Sequence, residues 1–237
     1  MKAGYLLFAS LLLAGCATTA HKADLAPPPH TDSAMALPAQ AELYLGVVDG
    51  LIRQKRYEAA IAFLAKYQKT QAPTPRYNKL AGDALTGAGR FDEAITAYRQ
   101  TLKSSFAPEA YNGIGRALSA RGQWAEATEN FRQAALLDPS NAGYLNNYAY
   151  AQLKQNFQGA DLAPAVSVLQ RAYELDPASP LIRTNLALAL SLSGSRTQFL
   201  AFLGTIPDPA KRKQVADFSV AWKSNWTNDT GIKETMP

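Results

Sequence analysis

The chain of 237 residues is 47% hydrophobic and 18% charged, a balance that can bury a core and that excludes a fibrous or wholly disordered polypeptide. Its formal charge of +5 is scattered, with Lys211-Arg212-Lys213 as the one run, so a nucleic-acid partner is not expected. Cys16, His21 and His30 are the whole of the cysteine and histidine complement and all precede residue 31, so no disulfide, His-based nucleophile relay or clustered zinc site is expected in the rest.

In chain order, Lys2 followed by the apolar stretch Gly4 to Ala14 reads as an export signal, too short to span a bilayer as a mature helix. Leu13-Ala14-Gly15-Cys16 comes directly after it and resembles a lipobox. That resemblance implies removal of residues 1–15, acylation (palmitate among the chains) of Cys16 on its sulfur and its new amino group, and a formal charge of +4 on the mature chain. Two lipid signals already give stable anchoring. Ala17 stands where inner-membrane lipoproteins carry Asp, which implies an outer-membrane anchor, with the protein facing the periplasm.

Residues 16–38 follow as the lipidated Cys and a tether rich in Pro, Ala, Thr and Ser, with too few large apolar groups for a core. As a flexible coil it spans roughly 25 Å.

Beyond the tether, residues 39–206 carry a period of 34, and 207–237 read as a capping helix and tail. The clearest copy, 108–141, has Tyr111, Ile114, Gly115 and Leu118, then Gly122, then Trp124, Ala127 and Phe131, and ends on Asp138-Pro139. Small Gly115 and Ala127 allow two antiparallel helices to approach while Ile114, Leu118 and Phe131 fill the space beside them. Stepping back 34 gives 74–107 and 40–73; stepping forward gives 142–179, with a four-residue insertion placed near Asn156 to Asp161, and a degenerate copy at 180–206. Val215, Phe218 and Trp222 recur on one face of a helix expected over 209–223, the cap over the last repeat.

This pattern resembles the tetratricopeptide repeat (TPR), which implies an all-α, right-handed solenoid of about five helix pairs plus a C-terminal capping helix. The resemblance places the ligand groove on first-helix positions 2, 5, 9, 12 and 13. Position 5 is Asn78, Asn112 and Asn146 in the three central repeats, a ladder of amides able to donate to and accept from an extended peptide backbone. Arg116 and Tyr150, at position 9, flank it, one suited to a carboxylate and the other to amphipathic contact. The bland alternative is that these asparagines only solvate the face or bond locally.

No catalytic residue, cofactor, metal or small-molecule substrate is expected: the acidic pairs, such as Asp92-Glu93, stand at helix starts, where they meet the helix dipole. The lipobox at 13–16, the repeats over 74–194, Asn146-Asn147-Tyr148-Ala149 and the run from Asn185 to Gly194 together resemble the TadD-type lipoproteins of tight-adherence (Tad/Flp-type) pilus assembly. That implies a non-catalytic outer-membrane scaffold whose partner is a secretin or another pilus or secretion component. A type IV pilus pilotin and an adaptor of peptidoglycan enzymes are the competing readings.

Overall fold

The computed structural model describes residues 37–156 and 161–229. The leader, Cys16 and the tether as far as residue 36, and the centre of the expected insertion at 157–160, lie outside the described residues. Among the described residues every regular element is a helix: α1 Leu37–Arg53, α2 Tyr57–Gln68, α3 Pro75–Gly87, α4 Phe91–Arg99, α5 Ala107–Ala120, α6 Trp124–Leu137, α7 Ala142–Asn156, α8 Ala163–Leu175, α9 Pro180–Leu192, α10 Arg196–Gly204 and α11 Pro209–Asp229.

Local chemistry punctuates the array. Thr74 and Ser179 cap α3 and α9, accepting from the amides of Tyr77 and Ile182 at 3.1 and 3.4 Å, with Pro75 and Pro180 in the first turn where no amide partner is needed. Asp138 and Asp176 end α6 and α8 by accepting from the amides of Ser140 and Ser179. Inside three of the pairs the chain turns on Gly89, Gly122 and Gly194, all near φ +76 to +77°, a conformation glycine adopts without steric cost.

Consecutive helices pack antiparallel from α2 to α9, and α1 joins through Leu45 and Val48 against Ala60, Leu64 and Leu80. The first helices also touch one another, α3 on α5, α5 on α7 and α7 on α9. Among the described residues no second helix reaches the next second helix. A row whose members touch lies on the inside of a curve, so the first helices line the concave face.

Apolar packing recurs along the row in five clusters, from Leu45 at one end to Val215 at the other. Leu153 and Leu169 are fully buried, and each such leucine stabilises by about 1.5–3 kcal/mol. The spacing of helices is not uniform. Gly82 faces Tyr98 as Gly115 faces Phe131, both pairs 16 apart, and these equivalent residues are separated by 33, not 34. A longer step appears later, where the equivalent helix caps Asn141 and Ser179, and the helix ends Asp138 and Asp176, are 38 residues apart.

Helix α11 runs to Asp229, longer than the sequence pattern suggests, and its buried face differs from the expected one. Val215 packs against Ala187, Leu203 and Ile206, and Ser219 is fully buried, whereas Phe218 is 44% exposed. Residues 215, 219 and 222 form the stripe that meets the array.

Candidate protein-binding groove

The 33-residue step decides which side chains reach the groove. Measured from the glycine that admits the aromatic ring, Asn112 corresponds to Lys79, not to Asn78. Asn78 is therefore rotated by one residue, about 100° around α3, out of the asparagine row. In its place Asn185 joins. The Asn185 amide donates to Asn146 at 2.8 Å, that of Asn146 to Asn147 at 3.4 Å, and that of Asn147 to Asn112 at 2.8 Å.

These four side chains tie α5, α7 and α9 together along the concave face. Asn146 and Asn185 are 2% and 5% exposed, so their amides are spent inside the array. Asn112 is half-buried, and its own N–H groups have no partner among the described residues. It is the asparagine of the row best placed to meet a ligand.

Around Asn112 the first helices leave a cleft of about 340 Å³. Asp49 and Arg53 from α1, Lys79 and Asp83 from α3, Glu109, Asn112 and Arg116 from α5, and Tyr144 from α7 all line it. Position 9 of successive repeats is Asp49, Asp83, Arg116 and Tyr150, so the groove runs from two acidic positions to a basic one and then to a neutral phenol. Asp49 pairs with Arg53 at 2.9 Å and Asp83 with Lys79 at 2.8 Å.

Two charges in this cleft are left over. Arg116 is exposed and has no ion-pair partner among the described residues, and one carboxylate oxygen of Glu109, Oε2, is buried without a hydrogen bond. The Tyr144 hydroxyl is pushed up to about 12 by burial first and by the nearby charges of Glu109, Asp138 and Asp83 second, so it stays protonated and able to donate. The cleft thus offers a cation, an anion, a free amide and a phenol, a set that suits a peptide carrying both charge signs.

The cleft is shaped from behind by Tyr98. Its ring, fully buried, fills a slot between α3 and α5, where a Cβ added at Gly82 or Gly113 would come within 2.5 or 2.3 Å of it. Its hydroxyl donates to Asp83 Oδ1 at 2.8 Å, fixing a cleft carboxylate from inside the core.

Tyr150, the remaining groove candidate, is engaged within the chain. Its ring meets Trp124 edge-on with centroids 6.2 Å apart, and its hydroxyl accepts from the indole N–H of Trp222 on α11. Among the described residues there is no group of three His, Cys, Asp or Glu side chains arranged to hold a metal, and no helix long and apolar enough to cross a membrane.

The Tetratricopeptide repeat family matches residues 79–127 and 112–180, the helices that build this groove. The array has the fold of a TPR solenoid. A relative, TPR repeat-containing protein PA4299 of Pseudomonas aeruginosa, is 29% identical over 159 residues, which are 66% of this chain and 61% of the relative. The chain therefore spans less than two thirds of that relative's length.

Solved TPR structures share the fold at low identity. MamA from Desulfovibrio magneticus RS-1 superposes with a TM-score of 0.59 at 18% identity, covering 75% of this chain and 96% of MamA. YrrB, described as a TPR protein with an unusual peptide-binding site, gives 0.56 at 17% identity, covering 73% of this chain and 90% of YrrB. TPR arrays are scaffolds for protein–protein interaction, and this fold fits that role.

Proposed function

We propose that the chain is a non-catalytic scaffold, held in the outer membrane by lipid on Cys16, whose TPR groove binds a protein component of pilus assembly of the tight-adherence type. The observation that carries the binding role is the concave cleft, in which Arg116, Asn112 and the Glu109 carboxylate present unused hydrogen-bonding and charge capacity. The peptide-binding site named for YrrB, on the same fold, supports a groove that takes peptide. The anchor is supported by Leu13-Ala14-Gly15-Cys16, and the pilus partner, a secretin or a component that assembles with it, by the resemblance of the repeats and lipobox together.

Substituting Cys16→Ser is expected to move the protein from the membrane fraction to the soluble one while leaving helicity and thermal unfolding unchanged. Retention of the substituted protein in the membrane would refute the lipid anchor. Purification of the wild-type protein from detergent-solubilised membranes is expected to bring down a secretin or pilus component; recovery of a murein hydrolase instead would favour the peptidoglycan-adaptor reading.

A further inference from the structure

Helix α11 is more than a cap. Its first half is built into the core: Val215 packs on α9 and α10, and the Arg212 guanidinium donates to the Ile206 carbonyl at 2.8 and 3.1 Å. A helix in the place of the next repeat's first helix would meet α9 and α10 only. Trp222 goes further, to α7.

There it completes a small aromatic seat. The Lys154 ammonium lies 5.3 Å from the Trp124 ring centre and 5.4 Å from that of Trp222, sandwiched between two indoles. Trp124 stands edge-on to Tyr150, and the Trp222 N–H donates to the Tyr150 hydroxyl. An indole satisfies every demand of this seat, since it has an electron-rich face for the ammonium and one N–H for the phenol.

Among the described side chains at this end of α11, Trp222 is the one that meets α7. Beyond the buried Ser219, Val220 is 62% exposed and Ala221 is exposed, and on the preceding turn Phe218 is exposed as well. Among these described side chains it is Trp222, rather than an apolar face, that reaches over the groove.

We propose that Trp124, Tyr150 and Lys154 form a binding seat for a tryptophan side chain, and that Trp222 fills it as a displaceable plug that a partner segment bearing a tryptophan replaces. The partner's part in this rests on the groove reading above; the seat and plug do not. Closure in cis makes the C-terminal half of the groove available only to a segment that outcompetes the chain's own tryptophan, whose effective concentration is high because it is tethered. The cleft around Asn112 and Arg116 stays open meanwhile.

The test uses the full-length chain and a fluorescein-labelled synthetic peptide of its own residues 216–229. The peptide is expected to bind the Trp222→Ala protein at least tenfold more tightly than wild type, and a peptide carrying the same Trp222→Ala change is expected not to bind either. Equal affinity for both proteins, or equal binding by both peptides, overturns the proposal. So does absence of binding to a Trp222→Ala protein whose helicity matches wild type. Hydrogen exchange on the unmodified protein gives an answer that needs no variant. Amides of 220–229 are expected to exchange faster than those of 212–219; exchange of the two halves together, at the rate of α9, would make α11 a simple cap. Loss of the seat would leave the cleft, and with it the proposed partner binding, untouched.

Discussion

Tyr98→Ala is expected to destabilise the array by ~3–5 kcal/mol, which for a domain of this size lowers the unfolding midpoint by about 6–20 °C. The ring is fully buried, and two glycines, Gly82 and Gly113, line it at the distances that admit it, so on those two sides there is no side chain to collapse into the space. The converse substitution, Gly113→Ala, drives a methyl to within 2.3 Å of the same ring and is expected to cost about 1–3 kcal/mol, less the ~1 kcal/mol that alanine recovers in a helix. Thermal unfolding followed by circular dichroism reads both. A Tyr98→Ala protein that melts within 2 or so degrees of wild type, about what 1 kcal/mol would give, would show that the slot is not a keystone.

The same tyrosine gives the array an alkaline limit. Burial first, and the Asp83 charge next, hold its hydroxyl above its ordinary value of 10.0. A group whose folded pKa is raised contributes stability that is complete below the unfolded value and is lost as pH rises through it toward the folded one. Stability should therefore begin to fall above pH 10.0, and Tyr98→Phe, which has no proton to lose, should flatten that fall.

Asn146→Ala is the second large effect. It leaves the Asn185 amide buried with its acceptor gone and removes the donor to Asn147, at an expected ~1–3 kcal/mol for the orphaned groups. Asn112→Ala should cost less, because Asn112 is half-buried and water can replace it. The double substitution Asn146→Ala with Asn185→Ala should cost less than the sum of the singles, with a coupling of ~0.5–3 kcal/mol in a urea-unfolding cycle. Strict additivity would mean that the asparagines are neighbours without being a network.

Much of this fold is legible in the sequence. The helix pairs, their turns on Gly89 and Gly122 and the facing of Gly115 on Phe131 follow from small and large residues at fixed spacing. The register of the second repeat is not, because Ala81 and Gly82 are adjacent and both small. Only the depth of the Tyr98 ring selects Gly82, since a Cβ there would stand 2.5 Å from the ring. That one-residue choice moved Asn78 out of the row and Lys79 and Asp83 into the cleft. The 16-residue interval between glycine and aromatic, common to both repeats, was the available signal.

Asn185 was obscured for a related reason: it stands 38 residues after Asn147 and, like Asn147 with Asn112, bonds diagonally to the asparagine of the preceding repeat, so a period of 34 does not lead to it. Trp222 was out of reach for a different one. A helix outside the repeat has no periodic partner, so nothing in the spacing of Val215, Phe218 and Trp222 tells which of them extends to Tyr150 and Lys154. Long-range packing of a unique segment is set by the surface it meets.

The groove as the protein-binding face is best tested by site-specific photo-crosslinking in native membranes, with the probe at Asn112 on the concave side and, separately, at Leu136 on the exposed face of α6, where the leucine is 61% exposed. Discrete protein adducts from Asn112, diminished by Arg116→Glu and absent from Leu136, are the predicted result. Adducts from Leu136 with none from Asn112 would contradict it and move the binding surface to the outer helices.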